Sequence, residues 1–242
     1  MTETLTPIMA HMVIGYPSLA ESRKIADLYI QKGMEILELQ IPFSHPTADG
    51  TVLTDANRKA VERGTTMADS LQFLKEIRAD YPQQIIMTMT YVNKLFTFGI
   101  EKFCDELAAL KIPYVIIPDL PFDSPIAQPI HQHADVQMIP VISANTSGER
   151  LKQILALNSD YIYIMADYKI TGSGFSINPK IQELISHIKA NSKAKVGLGF
   201  GISEKAQVEE VLKIADFAII GSALTKAVDA GNIAEKVDSL VL

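Results

Sequence analysis

Two acids bracket one short loop in this 242-residue chain, and their surroundings suit them to moving protons. Glu38 stands in the run Ile36-Leu37-Glu38-Leu39-Gln40-Ile41, and Asp49 closes the segment Pro42-Phe43-Ser44-His45-Pro46-Thr47-Ala48-Asp49 that follows it. Side chains alternate along a strand, so Glu38 and Gln40 share one face, opposite Leu37, Leu39 and Ile41. A carboxylate among aliphatic groups without a partner is desolvated, which raises its pKa and fits it for acid/base work near neutral pH. The competing reading is a structural carboxylate paired with a lysine or arginine of another strand. If Asp49 faces the same pocket, one acid can transfer protons while the other binds a donor or a developing positive charge. Asp49 before Gly50 is equally an ordinary turn pair.

Toward the C-terminus come Ile170-Thr171-Gly172-Ser173-Gly174, Gly199-Phe200-Gly201-Ile202-Ser203 and Gly221-Ser222-Ala223. Each can expose backbone N–H groups. Gly221 and Ser222 open a short predicted helix, whose unpaired amides and dipole make an anion site that needs no lysine or arginine. Other candidates carry less. His131 and His133 are two apart on a predicted helix and point away from each other, which is poor chelation geometry, so no metal is expected. His11 reads as a hydrogen-bonded core residue, His187 as surface and Cys104 as a small buried hydrophobe. The run Gly197, Gly199, Gly201 misplaces its third glycine for a dinucleotide fingerprint.

These groups need a frame. Apolar runs of strand length recur at Ile8 to Ile14, Ile36 to Ile41, Ile85 to Thr90, Tyr114 to Pro118, Gln137 to Ile142, Tyr161 to Met165, Lys195 to Leu198 and Phe217 to Ile220. Amphipathic segments lie between them at Ala20 to Lys32, Leu71 to Ala79, Ile100 to Leu110, Glu149 to Leu157, Ile181 to Ala190 and Glu204 to Ile214. Ser18 with Glu21 reads as a capping box, Ser147 and Ser203 as N-caps, and Gly33 as a C′ residue. A βα alternation sustained about eight times over a length near that of a barrel predicts a single-domain (β/α)8 barrel spanning residues 1–242. A doubly wound open sheet uses the same alternation. In a barrel, reacting groups gather at the C-terminal strand ends, which is where Glu38, Asp49 and the glycine loops fall.

Composition narrows the function classes. The chain is 48% hydrophobic and 21% charged, with a formal net charge of −6, which disfavours nucleic acid as the main partner. One cysteine allows neither an internal disulfide nor a cysteine-based zinc site, which fits a reducing, cytoplasmic compartment. The longest apolar runs fall well short of the roughly 20 residues that span a bilayer, and no export signal is visible near Met1.

The segment Leu37 to Gly50 resembles the signature of the tryptophan synthase alpha subunit family, L-E-L-G-[IV]-P-F-S-D-P-x-A-D-G-P. Tyr91-Val92-Asn93, Pro118-Asp119-Leu120-Pro121, Ile170-Thr171-Gly172, Gly199 to Ser203 and Gly221-Ser222-Ala223 follow in the family's order, so the resemblance covers nearly the whole chain. It implies a TIM barrel that splits indole-3-glycerol phosphate into indole and glyceraldehyde 3-phosphate by a retro-aldol reaction. The resemblance makes Glu38 the general acid/base and Asp49 the group that hydrogen-bonds the indole N–H and steadies the indolenine cation. It makes Thr171 the loop residue that meets the aspartate on closure and Tyr163 a pocket tyrosine. Gly172, Gly201, Gly221 and Ser222 become the phosphate cradle. No cofactor is implied in this chain; pyridoxal phosphate belongs to the beta subunit, expected as partner in a heterotetramer of two alpha and two beta subunits.

Several positions depart from the family pattern. Gln40 replaces a glycine on the face of Glu38, and is expected to narrow the pocket or hydrogen-bond Glu38. His45 replaces an aspartate of the partner-facing loop, Thr51 replaces a proline, and Lys169 replaces a glycine before Thr171, which would alter closure. About seven residues precede strand one, so the family's N-terminal helix is expected to be short or absent. These departures leave two alternatives: a drifted paralogue with another phosphorylated substrate, or mainly an allosteric partner of a beta subunit.

Overall fold

The structure, a computed structural model, describes residues 5–165, 177–199 and 201–242. Its nine strand segments are β1 (Thr6–Val13), β2 (Met34–Gln40), β3 (Ile85–Met89), β4 (Tyr114–Ile116), β5 (Gln137–Met138), β6 (Val141–Ser143), β7 (Tyr161–Met165), β8 (Lys195–Gly199) and β9 (Phe217–Ile220). All pair in parallel, in the order β5-β4-β3-β2-β1-β9-β8-β7-β6. The two ends of that order are one stretch of chain. Only Ile139 and Pro140 separate β5 from β6; Ile139 N–H donates to Val115 O at 2.8 Å on one side, and Tyr163 N–H donates to Pro140 O at 2.9 Å on the other. Proline has no N–H to give a ladder, so the strand is interrupted there while its carbonyl still serves β7. Nine segments therefore make eight staves that close on themselves, which decides between the barrel and the open sheet.

Eleven α-helices are described: α1 (Leu19–Gln31), α2 (Thr51–Glu62), α3 (Met67–Asp80), α4 (Val92–Phe98), α5 (Ile100–Ala109), α6 (Gln128–Gln132), α7 (Gly148–Ala156), α8 (Pro179–Asn191), α9 (Lys205–Leu212), α10 (Ser222–Asp229) and α11 (Ile233–Asp238). Ser18 and Ser147 cap their helices by accepting from the Glu21 and Arg150 amides, but the expected Ser18–Glu21 capping box is only half formed, the Glu21 carboxylate accepting from Lys24 instead; Gly33 takes φ +73° behind α1. Ser203 is not the cap. The first turn of α9 begins one residue later, and Gln207 Oε1 reaches back to accept from the Ser203 and Glu204 amides at 2.7 and 3.1 Å. Helix α2 is not among the segments anticipated from the sequence; its buried residues are Ala56, Asn57 and Ala60, two small residues and an amide.

Two cores follow from the alternation of the staves. The larger fills the space between sheet and helices, with Leu37, Leu39 and Ile41 of the β2 region pointing outward into it. The smaller fills the barrel itself, from Met9, Ile36, Met87, Ile116, Ile139, Tyr161, Phe217 and Ile219. Strand β8 contributes glycine to that interior. A Cβ on Gly197 would lie 2.2 Å from the Phe217 ring, and one on Gly199 would lie 2.9 Å from Ile219 Cβ and 3.4 Å from the Tyr163 hydroxyl. Two of the three glycines in the run are thus packing residues of a strand, and Gly201 alone belongs to the loop.

Candidate active site

At the C-terminal ends of the staves, a cavity of about 340 Å³ is lined by Glu38, Asp49, Tyr163, Gly201, Gly221 and Ser222, with His11, Lys226 and the apolar groups Met89, Ile116, Val141 and Ile219. Six sequence-selected residues therefore meet in one place. Thr171 and Gly172, like Lys169, lie outside the described residues.

Glu38 is buried, 1% exposed, and its partner is neither lysine nor arginine. The β1–β2 register sets His11 opposite Glu38, and His11 Nδ1 stands 3.0 Å from Glu38 Oε2. Burial alone would lower the His11 pKa, but the charge and hydrogen bond of Glu38, aided by Asp49 and Gln40, hold it above its usual 6.5. His11 is thus a hydrogen-bonded buried residue, as expected, but it is tied to an acid of the site and lines the cavity. The cue was available: it is the one titratable residue of β1, on the inward face with Met9.

Asp49 is held from two elements. Gln40 Nε2 donates to its Oδ2 at 2.7 Å, and Asn57 Nδ2 of α2 donates to the same oxygen at 3.3 Å. Asn57 also donates to Leu53 O and accepts from the Phe43 amide at 3.0 Å, so one buried amide pins loop, helix and acid together. Burial raises the Asp49 pKa, against the opposing pull of the His11 charge and of hydrogen bonds from Gln40 and Tyr91. Gln40 therefore does enter the space that a glycine would leave, but it bonds Asp49 rather than Glu38. Its Oε1 has no partner among the described residues.

Tyr163, inward on β7, is pushed well above the usual tyrosine range by burial and by the nearby acids, so it stays a neutral hydroxyl. The last two staves supply main chain. Gly201 adopts φ +75°, open to glycine at little cost, and Gly221 precedes α10, whose first residue is Ser222. Lys226, one turn along α10, adds a positive charge that the glycine pattern did not suggest. Lys236 Nζ of α11 donates to Ser203 O and ties down the far side of the Gly201 loop. Free amides at a helix N-terminus with a lysine nearby are suited to a phosphate.

Helix α6 ends at Gln132, so of the two histidines expected on one helix only His131 is helical and His133 is its extended C-cap. His131 Nε2 lies 2.7 Å from Phe122 O, His133 faces Asp105, and His187 is exposed. Cys104 is buried, which pushes its thiol up to about 11. Among the described residues no group of three or more histidines, cysteines or acids is placed to hold a metal, and no helix is long and apolar enough to cross a membrane.

The family profile described as Tryptophan synthase alpha chain matches residues 2–241. The tryptophan synthase alpha chain of Syntrophotalea carbinolica is 33% identical over 229 residues, covering 93% of this chain and 89% of that protein. That of Francisella tularensis is 34% identical over 227 residues, covering 93% and 84%. Among solved structures, the tryptophan synthase subunit alpha of Campylobacter jejuni superposes with a TM-score of 0.85 at 26% identity, covering 98% of this chain and 96% of that one. Since the match runs through every stave of the barrel, acids and glycine loops included, the chain belongs to the tryptophan synthase alpha chain family, lyases that cleave indole-3-glycerol phosphate.

Proposed function

We propose that this cavity carries out the family's cleavage with Glu38 as general acid/base and Asp49 as the anchor of the indole N–H. The observation that carries the assignment is that both acids, each with its own hydrogen-bond donor, line one cavity with Tyr163 and the Gly201, Gly221 and Ser222 main chain. The phosphate binds the α10 N-terminus and the Gly201 loop, with Lys226 adding charge. The glycerol chain then crosses the apolar middle of the cavity toward β1 and β2. By resemblance, Gly172 completes the cradle and Thr171 meets Asp49 on closure. The reaction moves one proton from the carbinol hydroxyl to indole C3: Glu38 protonates C3, the C–C bond breaks as the carbonyl forms, and the carboxylate takes the hydroxyl proton. Asp49, an anion beside the ring nitrogen, steadies the positive charge between those steps.

The whole chain acts as one catalytic domain with a beta subunit, which carries the pyridoxal phosphate, in a heterotetramer. Cytoplasmic placement follows from that biosynthetic role and from a single, buried thiol. Retention of both acids gives no support to a purely regulatory subunit. The test is release of indole from indole-3-glycerol phosphate by pure protein, with and without beta subunit. Turnover accelerated by the partner supports the reading, and no release by folded protein in either series overturns it.

A further inference from the structure

His11 occupies a position between the two halves of the site. Its strand, β1, pairs with β2, which carries Glu38, on one side and with β9, which leads to Gly221, on the other. The imidazole is 3% exposed and lies against Gly221, where a Cβ would sit 3.5 Å from its Cβ, Cγ and Cδ2. One ring nitrogen is committed to Glu38 at 3.0 Å, and the other, Nε2, has no partner among the described residues. Glu38 on β2, Asp49 in the next loop and the Gln40 amide act on it directly, and Tyr163 on β7 and Lys226 on α10 line the same cavity. Two carboxylates facing one largely apolar space repel each other, and a proton on the imidazole between them relieves the excess negative charge.

We propose that His11 is a positioning residue that shares one proton with Glu38, so that the acid/base unit of the cleavage is a His11–Glu38 pair rather than a lone carboxyl group. The inference rests on the function proposed above and specifies how that site keeps a proton to donate. The pair holds its proton either as imidazolium and carboxylate or as imidazole and carboxylic acid. The second form protonates indole C3, leaving imidazole and carboxylate. The carboxylate then takes the hydroxyl proton as the C–C bond breaks, and the pair is back at one proton with nothing oxidised or reduced. His11 touches Glu38 rather than the reacting carbons; it fixes the carboxyl orientation and keeps the proton within reach at pH values where an isolated carboxyl has lost it.

The experiment is the pH profile of kcat and kcat/KM for indole release by wild type, His11→Asn and His11→Gly, beside an NMR titration of the histidine rings in wild type and Glu38→Gln. His11→Asn keeps a donor to Glu38 but cannot titrate. The expected result is a kcat loss of about tenfold or more with KM little changed, and a high-pH limb moved toward acid by about one unit or more. Added imidazole restores part of kcat in His11→Gly. In the NMR arm the His11 resonance titrates above its ordinary range and falls when Glu38 becomes Gln, a readout that needs no turnover. An unmoved limb in His11→Asn, or a His11 titration indifferent to Glu38→Gln, overturns the pairing while leaving the proposed reaction standing. Loss of indole release in wild type strikes the reaction itself, and the NMR arm still decides the pair.

Discussion

The two walls of the cavity are made of different material. On the β1–β2 wall the chemistry is carried by side chains, each engaged with another: His11 with Glu38, and Gln40 and Asn57 with Asp49. On the β8–β9 wall the working surface is the main chain of Gly201, Gly221 and Ser222, which line the cavity. A side-chain wall is tuned by its partners, since charge and hydrogen bonding set protonation and orientation. A main-chain wall is tuned by shape, since its amides are fixed by the fold and only obstruction or added charge alters them. Changes at the His11–Glu38 pair of the first wall should therefore appear in kcat and its pH dependence, changes around Asp49 in substrate binding, and changes on the second wall in KM and stability.

The largest effect separating the walls is expected from Glu38→Gln. Losing a general acid/base costs about 10²- to 10⁴-fold in kcat, with KM within a few-fold of wild type. Indole release in a steady-state assay measures it, and a variant with near-normal kcat would sink the role given to Glu38. The same substitution has a pH signature in stability. His11 binds its proton more tightly folded than unfolded, so its contribution is complete below 6.5 and is lost as pH rises through the higher folded value. Urea unfolding should show the gap between wild type and Glu38→Gln shrinking from acid toward alkaline pH. A gap that widens toward alkaline pH would contradict the ion pair.

Gly197→Ala probes the packing beneath the main-chain wall. The new methyl would meet the buried Phe217 ring at 2.2 Å. Overpacking of this kind costs about 1–3 kcal/mol, read as a lower urea midpoint with an unchanged slope. Unchanged stability would show that Phe217 can move aside and that the glycine is not a packing requirement. Ser222→Asp changes the same wall by charge. A carboxylate at the first residue of α10 suits the helix dipole yet repels a phosphate, so KM should rise by about tenfold with kcat nearly constant. A fall in kcat at unchanged KM would instead place Ser222 with the chemistry.

The walls were also unequally legible in sequence. Glu38 and Asp49 could be read directly, because a charged residue in an apolar strand and a second acid in the following loop are unusual as types. The staves could be read too, since parallel barrel strands are buried on both faces and spell near-continuous apolar runs. Partnerships could not. That His11 meets Glu38 depends on the β1–β2 register, which local periodicity does not encode; that Asn57 meets Asp49 depends on α2 packing back over the loop before it, which is a tertiary contact. Glycine was legible as glycine but not as purpose: Gly197 and Gly199 make room for Phe217, Ile219 and Tyr163, and only Gly201 opens a loop. Nothing in the sequence marks Lys226, because amides alone suffice to explain an anion site.

Gln40 offers the smallest and most discriminating change. Its side chain fills space on the inward face of β2 and donates to Asp49 Oδ2 at 2.7 Å, while Oε1 has no partner among the described residues. Gln40→Gly removes a donor that orients Asp49 but also removes that buried acceptor, and these opposing terms are each about 1–2 kcal/mol, so stability should change little. Function should change more selectively. Asn57 still reaches Oδ2 at 3.3 Å, so Asp49 stays in the cavity but is held less firmly. If Asp49 binds the ring N–H, KM for indole-3-glycerol phosphate rises a few-fold while kcat and the His11-dependent pH limb stay put. If the pH limb moves instead, Gln40 is acting on the His11–Glu38 pair through the imidazole, and the side-chain wall is one coupled network rather than two independently supported acids.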